Sequence, residues 1–564
     1  MRLPNLLDTR LGRLVAFFFL YLTEGIPLGF AATAVATQLR RQDVGPAEIG
    51  AFVGSFYLPW AFKWAFGPLI DVVASERLGR RRGWILLTQT LMVATLLACT
   101  QLELPAQLGL LTAVLLVHNT FGAMQDVAID ALAVNTLRED ERGLANGVMF
   151  AGASVGAALG GSGVLFMIPW LGLAGGFVFV AGCIALVTVC IVLPLREPAT
   201  PAAPPGTPAR AAGLVAAGRE MARFGVDAFR SFLGTRGASA GLAFALLPAG
   251  AMSLGLALQS NLAVELGLSD DGVAWLSLWS QVLSAVFMVL GGWLSDRFGR
   301  RRTLAVYLAL MSPPVLWLAW MLLQHGWVMP VPAGERAARA VPAVLVTALW
   351  VATLAYAVAQ GLMYGTRSAI FMDVTNPRVA ATQFTAYMAM MNLAISYSAT
   401  WQGIAVEALG YPKTLLIDAL AGLLCLLFLA ALRPSASPEG DGGAPARARA
   451  LAAVLAAGCL AFGTWRLAGW DAGAARPILE TLFTLVFVAA AVFLAAGGVA
   501  LGTRLGRLGI ALAPLLLALH ARHWVPQAEA AYVAVALAAA VLLAAQARLG
   551  WEALRAPVQR PGAC

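Results

Sequence analysis

Residues 291–302 read GGWLSDRFGRRR, where an apolar helix end runs into an acid and a cluster of arginines. The spacing is G-x-x-x-D-R-x-G-R-R, with Gly292, Asp296, Arg297, Gly299, Arg300 and Arg301 at the fixed positions. A second copy lies at residues 67–84, GPLIDVVASERLGRRRGW, with Gly67, Asp71, Gly79, Arg80 and Arg81 in the matching places. Extra residues separate Asp71 from its arginines. A carboxylate at a helix end can bind arginine or the N-terminus of a neighbouring helix, so each copy reads as a charge latch. One copy alone would fit simple positive-inside anchoring. Two copies, one in each predicted half, favour a latch that holds one face shut and must break during alternating access.

Composition sets the solvent. The chain has 564 residues, 60% hydrophobic and 12% charged, with a mean hydropathy of +0.79. Apolar runs near twenty residues, separated by short arginine-bearing loops, read as an all-α polytopic membrane protein in contact with lipid. The net charge of +9 comes from arginines at helix ends, so it reports topology rather than a nucleic-acid partner. The six cysteines fall mostly in apolar runs, and no CxxC pair or His–Cys cluster appears, so neither a disulfide framework nor a metal site is expected. The basic N-terminus leads into a long apolar run containing Glu24, which we expect to be a retained first helix rather than a cleaved signal peptide.

Hydropathy predicts an N-terminal six-helix half over 1–195, with helices centred near residues 24, 60, 92, 118, 155 and 183. A Pro- and Ala-rich linker follows at 196–236. Its Leu214, Met221, Phe224, Phe229 and Phe232 share one side of a predicted amphipathic helix on the cytoplasmic membrane surface. Six more helices, centred near 250, 282, 312, 355, 393 and 421, make a second half over 237–432. A linker at 433–449 precedes two to four additional transmembrane helices in 450–564. The run near 515 is short and contains Pro514, so the total is either about 14 or about 16 spans. Arg504, Arg507, Arg548 and Arg555 favour the larger number, with both termini cytoplasmic.

Charges inside the apolar segments are the functional candidates. In HNTFGAMQDVAIDALAV, residues 118–134, Asn119, Asp126 and Asp130 fall within about 40° of one another on a helix. An ionised carboxylate there costs about 2.5–3.5 kcal/mol on insertion scales, and protonation relieves it. Asp126 is therefore a proton-coupling candidate. Asp130, nearer the cytoplasmic end, either shares that role or pairs with Arg138 or Arg142. Lys63 lies roughly 12 Å deeper in its helix than Asp71, and Glu24 sits at mid-depth in the first helix. Either the two meet as a buried ion pair, or Lys63 binds an anionic substrate while Glu24 titrates; a lysine so placed can also merely snorkel. Tyr356, Gln360, Tyr364 and Arg367 share about 80° of the tenth helix. They suit a ligand bearing sugar, amide and carboxylate groups, or else serve interhelical hydrogen bonding. Asn392, Tyr397 and Gln402 are further candidates of that kind, and Asp418 has no assigned role. The sequence holds no G-x-x-x-x-G-K-[ST] loop, no HExxH and no convincing serine nucleophile. We therefore expect neither an enzyme nor a cofactor, but monomeric, gradient-driven transport of a small molecule.

Six helices, a linker and six helices is the plan of the major facilitator superfamily. Within it GIPLGF (25–30), PWAFKWAFGPLID (59–71), LGRRRGWILLTQ (78–89), QDVAIDA (125–131) and ERGLANG (141–147) resemble the AmpG-type branch. NPRVAATQFTAYMAM (376–390) and VEALGYPKTLL (406–416) look most like its muropeptide permeases. The resemblance covers roughly residues 12–432. It implies proton-driven import of anhydro-disaccharide peptides from cell-wall turnover across the bacterial inner membrane. It also implies that Gln125, Asp126 and Asp130 are the branch's Q-D-x-x-x-D element and that Lys63 is its helix-two lysine; Asn119 and Gln125 are substrate-binding candidates. Glu24 departs from the branch, as does the length of the C-terminal extension. Alternatives are a permease for a siderophore or an acetyl-CoA-like anion, and a non-transporting membrane enzyme or sensor with its activity near His520 and His523.

Overall fold

The computed structural model describes residues 5–72, 78–138, 142–197, 218, 226–227, 229–332, 335, 339–375, 380–433, 442–520, 529–548 and 551. Among these the regular elements are all helical. Most of the predicted amphipathic helix, and the segment carrying Arg522 and His523, lie outside the described residues, as does the side chain of His520.

The first half opens with α1 (Arg10–Arg41), whose first turn is capped by Thr9 accepting the Gly12 N–H at 3.1 Å. Then come α2 (Pro46–Ala61), α3 (Arg80–Cys99) and α4 (Leu108–Thr136). α5 (Arg142–Ala158) runs through a π-turn into α6 (Val164–Val187). The apolar stretch Gly147–Val192 has 46 residues, so one helix would reach roughly 70 Å, far beyond a 30 Å hydrocarbon core. Gly172, at φ 64°, turns the chain back and makes two passes of it.

The second half comprises α7 (Arg236–Leu246), α8 (Ala257–Glu265), α9 (Asp270–Phe298), α10 (Arg300–Leu310), α11 (Ser312–Gln324), α12 (Ala343–Val374), α13 (Ala380–Leu409) and α14 (Tyr411–Leu423). The helix expected around residue 250 is interrupted there. Gly250 adopts φ 77° and residues 247–252 are non-helical, with a short turn Ser253–Gly255 before α8 resumes. The extension forms four helices, α15 (Ala444–Ala468), α16 (Arg476–Leu501), α17 (Arg504–His520) and α18 (Glu529–Arg548). α15 starts inside the segment expected to be a linker. In all, 11 helices among the described residues are long and apolar enough to cross a membrane.

The repeated motif is also a repeated backbone. Gly79 (φ 89°, ψ 144°) and Gly299 (φ 92°, ψ 120°) make the same left-handed corner, each followed at once by an arginine-led helix. Side chains are strained at such φ values, which is why glycine stands at both corners.

Packing divides the chain into two units. The first contains Met1–Glu220, Pro248–Arg367 and Ala389–Leu424. Here α1 and α5 touch backbone to backbone: a Cβ at Gly25 would collide with the Ala153 carbonyl, and one at Gly156 with the Leu22 carbonyl. Small residues permit that approach in lipid, where no hydrophobic force drives helices together. Gly156→Leu should therefore lower the thermal unfolding midpoint of the purified protein by the equivalent of about 1–3 kcal/mol or more of overpacking. Gly147→Ala, which meets open space, should leave it unchanged; equal midpoints for the two variants would contradict this packing. The second unit contains Met221–Leu247, Ser368–Met388 and Cys425–Cys564. Its core sets the Phe462 ring against Trp465, Phe483, Phe487 and Tyr532.

Candidate functional site

The membrane-buried charges converge between α1, α2 and α4. α2 ends at Ala61, and the turn Lys63–Ala65 that follows carries Lys63 toward α4. Its Nζ donates to Asp126 Oδ2 at 2.9 Å and lies 4.0 Å from Asp130 Oδ2. Asp126 is 5% exposed and Asp130 45%, so the first carboxylate is sealed and the second faces open space. Tyr21 Oη donates to Asp130 Oδ1 at 2.6 Å.

Neither open reading of Lys63 predicted this pairing: its described ion-pair partners are the two aspartates of α4, not Glu24. Glu24 lies near this group without an ion pair to Lys63, its Oε1 buried and without a hydrogen-bond partner among the described residues. The reason is helical phase, since Tyr21 and Thr23 of α1 are the residues bonded to α4. Gln125 Nε2 donates to Thr23 Oγ1 at 2.9 Å, and Asn119 donates to the Phe56 carbonyl. Both amides thus tie helices together around the charged group.

A cavity of about 100 Å³ lies between helices of the two halves, within the first unit. Tyr57, Gln259, Ser277, Gln281, Tyr356 and Gln360 are among its lining residues, and no charged side chain is. Of the four polar residues singled out on the tenth helix (here α12), two reach this cavity. Tyr356 is partly committed elsewhere: its hydroxyl donates to the Ala251 carbonyl at 2.9 Å and accepts from Gln360 Nε2 at 3.1 Å. Tyr364 instead lies under Arg367, whose guanidinium carbon is 4.7 Å from the ring centroid. Asn392 is half-buried on α13, outside the cavity lining.

At the end of α1 the halves are tied by charge. Buried Arg40 pairs with buried Glu265 of α8, and Arg41 with Asp270 of α9. Glu265 also accepts from Tyr411 Oη at 2.8 Å and from the Val331 N–H at 3.2 Å. Close by, Ser396 Oγ of α13 donates to the Gly54 carbonyl of α2 at 2.7 Å. None of these residues was singled out from sequence.

The motif lies on the loops at the other end of these helices. Asp296 accepts from Arg300 Nε at 3.1 Å, and Arg297 lies over the Trp293 ring. Gly292 comes close to the Gly365 carbonyl, and Arg301 is exposed. In the first copy the side chain of Asp71 lies outside the described residues, and Gly67 faces open space. There Glu197 accepts the N–H groups of Arg81 and Arg82 at the start of α3, next to Arg80. Arg81 Nη1 donates to the Ile70 carbonyl at 3.0 Å.

The sequence profile described as Major Facilitator Superfamily matches residues 14–253 and 240–560. The chain belongs to that superfamily. Solved structures agree on the fold. The crystal structure of a D-xylose-proton symporter superposes with a TM-score of 0.53 at 14% identity, over 76% of this chain and 99% of that one. A POT family transporter in complex with 5-aminolevulinic acid gives 0.54 at 11%, over 74% and 94%. Among curated relatives, an uncharacterized protein of Haemophilus influenzae is 24% identical over 73% of this chain and 92% of its own length. The anhydromuropeptide permease of Escherichia coli K12 is 30% identical over 28% of this chain. A putative transporter AmpG 1 of Rickettsia felis is 26% identical over 26%. The chain covers about a third of each of these two, 33% and 34% of their lengths. The protein is thus a multi-pass membrane transporter of the superfamily, with AmpG-like relatives.

Proposed function

We propose that this transporter imports cell-wall-derived anhydro-muropeptides across the bacterial inner membrane, coupled to protons, with its arginine-rich loops and both termini cytoplasmic. The observation that carries the reading is the Lys63–Asp126 ion pair, sealed in the same unit as an uncharged, hydroxyl- and amide-lined cavity. A proton on Asp126 removes the nearer of the two charges that hold Lys63, and the loosened ammonium can then meet a substrate carboxylate. Tyr21 holds Asp130 in place beside them. The serines, glutamines and Tyr57 of the cavity offer both donors and acceptors, as a sugar and its acetamido groups require. The relative named anhydromuropeptide permease supports the choice of substrate.

A cavity of about 100 Å³ is well below the roughly 300–1,000 Å³ of sites that enclose larger ligands. Loading a disaccharide peptide therefore requires the halves to part. The test is uptake of labelled anhydro-muropeptide into vesicles with an imposed proton gradient, set against a ferric siderophore. We expect accumulation of the muropeptide that collapses with a protonophore. Accumulation indifferent to the gradient would remove proton coupling, and uptake of the siderophore alone would replace the substrate.

A further inference from the structure

The interruption between α7 and α8 exposes backbone groups in the protein interior, where each needs a partner. They are met from two other helices, with a third supporting the carboxylate. Asp418 of α14, itself 1% exposed, accepts the Met252 and Ser253 N–H groups on Oδ2, both at 2.9 Å. Its Oδ1 accepts from Gln402 Nε2 of α13 at 2.8 Å. The Gly250 N–H donates to the Gly422 carbonyl at 3.2 Å, and Tyr356 of α12 takes the Ala251 carbonyl. Directly after these anchors, Leu254, Gly255, Leu256, Gln259 and Ser260 form one wall of the central cavity.

We infer that Asp418 is a positioning residue: without touching solute, it fixes the unwound segment and so sets the shape of the cavity wall that solute meets. A carboxyl group is the apt side chain, because its two oxygens offer acceptors to three donors at once. The effect on uptake rests on the proposed transport function; the anchoring does not.

The experiment uses the full-length protein in nanodiscs and in vesicles, with Asp418→Asn, Asp418→Leu and Gln402→Leu. Asparagine can still accept both N–H groups, and its amide can donate to Gln402 Oε1, which is buried without a partner among the described residues. For Asp418→Leu, hydrogen exchange of peptides spanning 247–256 should quicken by about tenfold or more. Its KM for labelled anhydro-muropeptide should rise about tenfold while the maximal rate stays within about threefold. Asp418→Asn should resemble the natural protein in both, and Gln402→Leu should fall between, which serves if the leucine variant does not fold. Unchanged exchange in Asp418→Leu, or in Gln402→Leu if only that variant folds, overturns the inference. So does an asparagine variant that loses uptake with exchange intact, since charge rather than geometry would then matter. Exchange is read without solute, so a natural protein that takes up no muropeptide refutes the substrate while exchange still decides the anchor.

Discussion

Arg40→Leu is expected to open the end of the transporter that the structure holds shut. Arg40 and Glu265 are both buried, and they join α1 of the first half to α8 of the second. Removing one member of a buried pair costs about 3–5 kcal/mol, because the other charge is left without compensation. That cost falls only on the state in which the two helices meet. A penalty of about 3 kcal/mol shifts a two-state equilibrium by more than a hundredfold. Spin labels at the exposed positions Gln42 and Asp271, near the two sides of this contact, should report a longer and broader distance distribution. Uptake should fall with it, because a transporter held in one state cannot cycle. Arg40→Met combined with Glu265→Gln should recover much of the closed distance, since glutamine still accepts from Tyr411 and neither residue is charged. A distance distribution unchanged by Arg40→Leu would mean that the pair does not govern closure.

The second large effect concerns Lys63 and Asp126. Lys63→Met should lower the yield of folded protein sharply, because it strands a sealed carboxylate at a cost of about 3–5 kcal/mol. Asp126→Asn should fold, yet fail to accumulate solute against a gradient while still exchanging solute across the membrane. Joining Lys63→Met to Asp126→Asn should restore the yield without restoring accumulation. That pattern separates a structural need for charge balance from a coupling role for the proton. If Asp126→Asn accumulated solute normally, Asp126 would not be the carrier. Asp130→Asn should do less harm, since its side chain is half-exposed, asparagine still accepts from Tyr21, and only the more distant of the two charges beside Lys63 is lost.

Much of this architecture was legible in the sequence because membrane spans and helical stripes are local signals. The twin motifs announced two halves, and their glycine corners proved to share one backbone conformation. Asp126 and Asp130 could be placed on one face by counting residues, and Lys63 was conspicuous as one of two lysines in the chain. What escaped is non-local. Arg40 reads as an ordinary arginine at a helix end, and its partner Glu265 lies 225 positions away. Asp418 had no readable task because its partners are backbone N–H groups that become available only when a helix breaks. Hydropathy averages across such a break, although Pro248 and Gly250 mark it. Tyr356 was read as suiting either a ligand or an interhelical hydrogen bond, and part of its hydrogen-bonding capacity serves that same break.

The smallness of the central chamber also bears on what the transporter must not do. With room for only a handful of waters and no charged lining, this cavity gives a hydrated ion no lodging among the described residues. Passing through this state, the empty carrier would return like a drained airlock, moving its own charges without spilling the gradient that drives it.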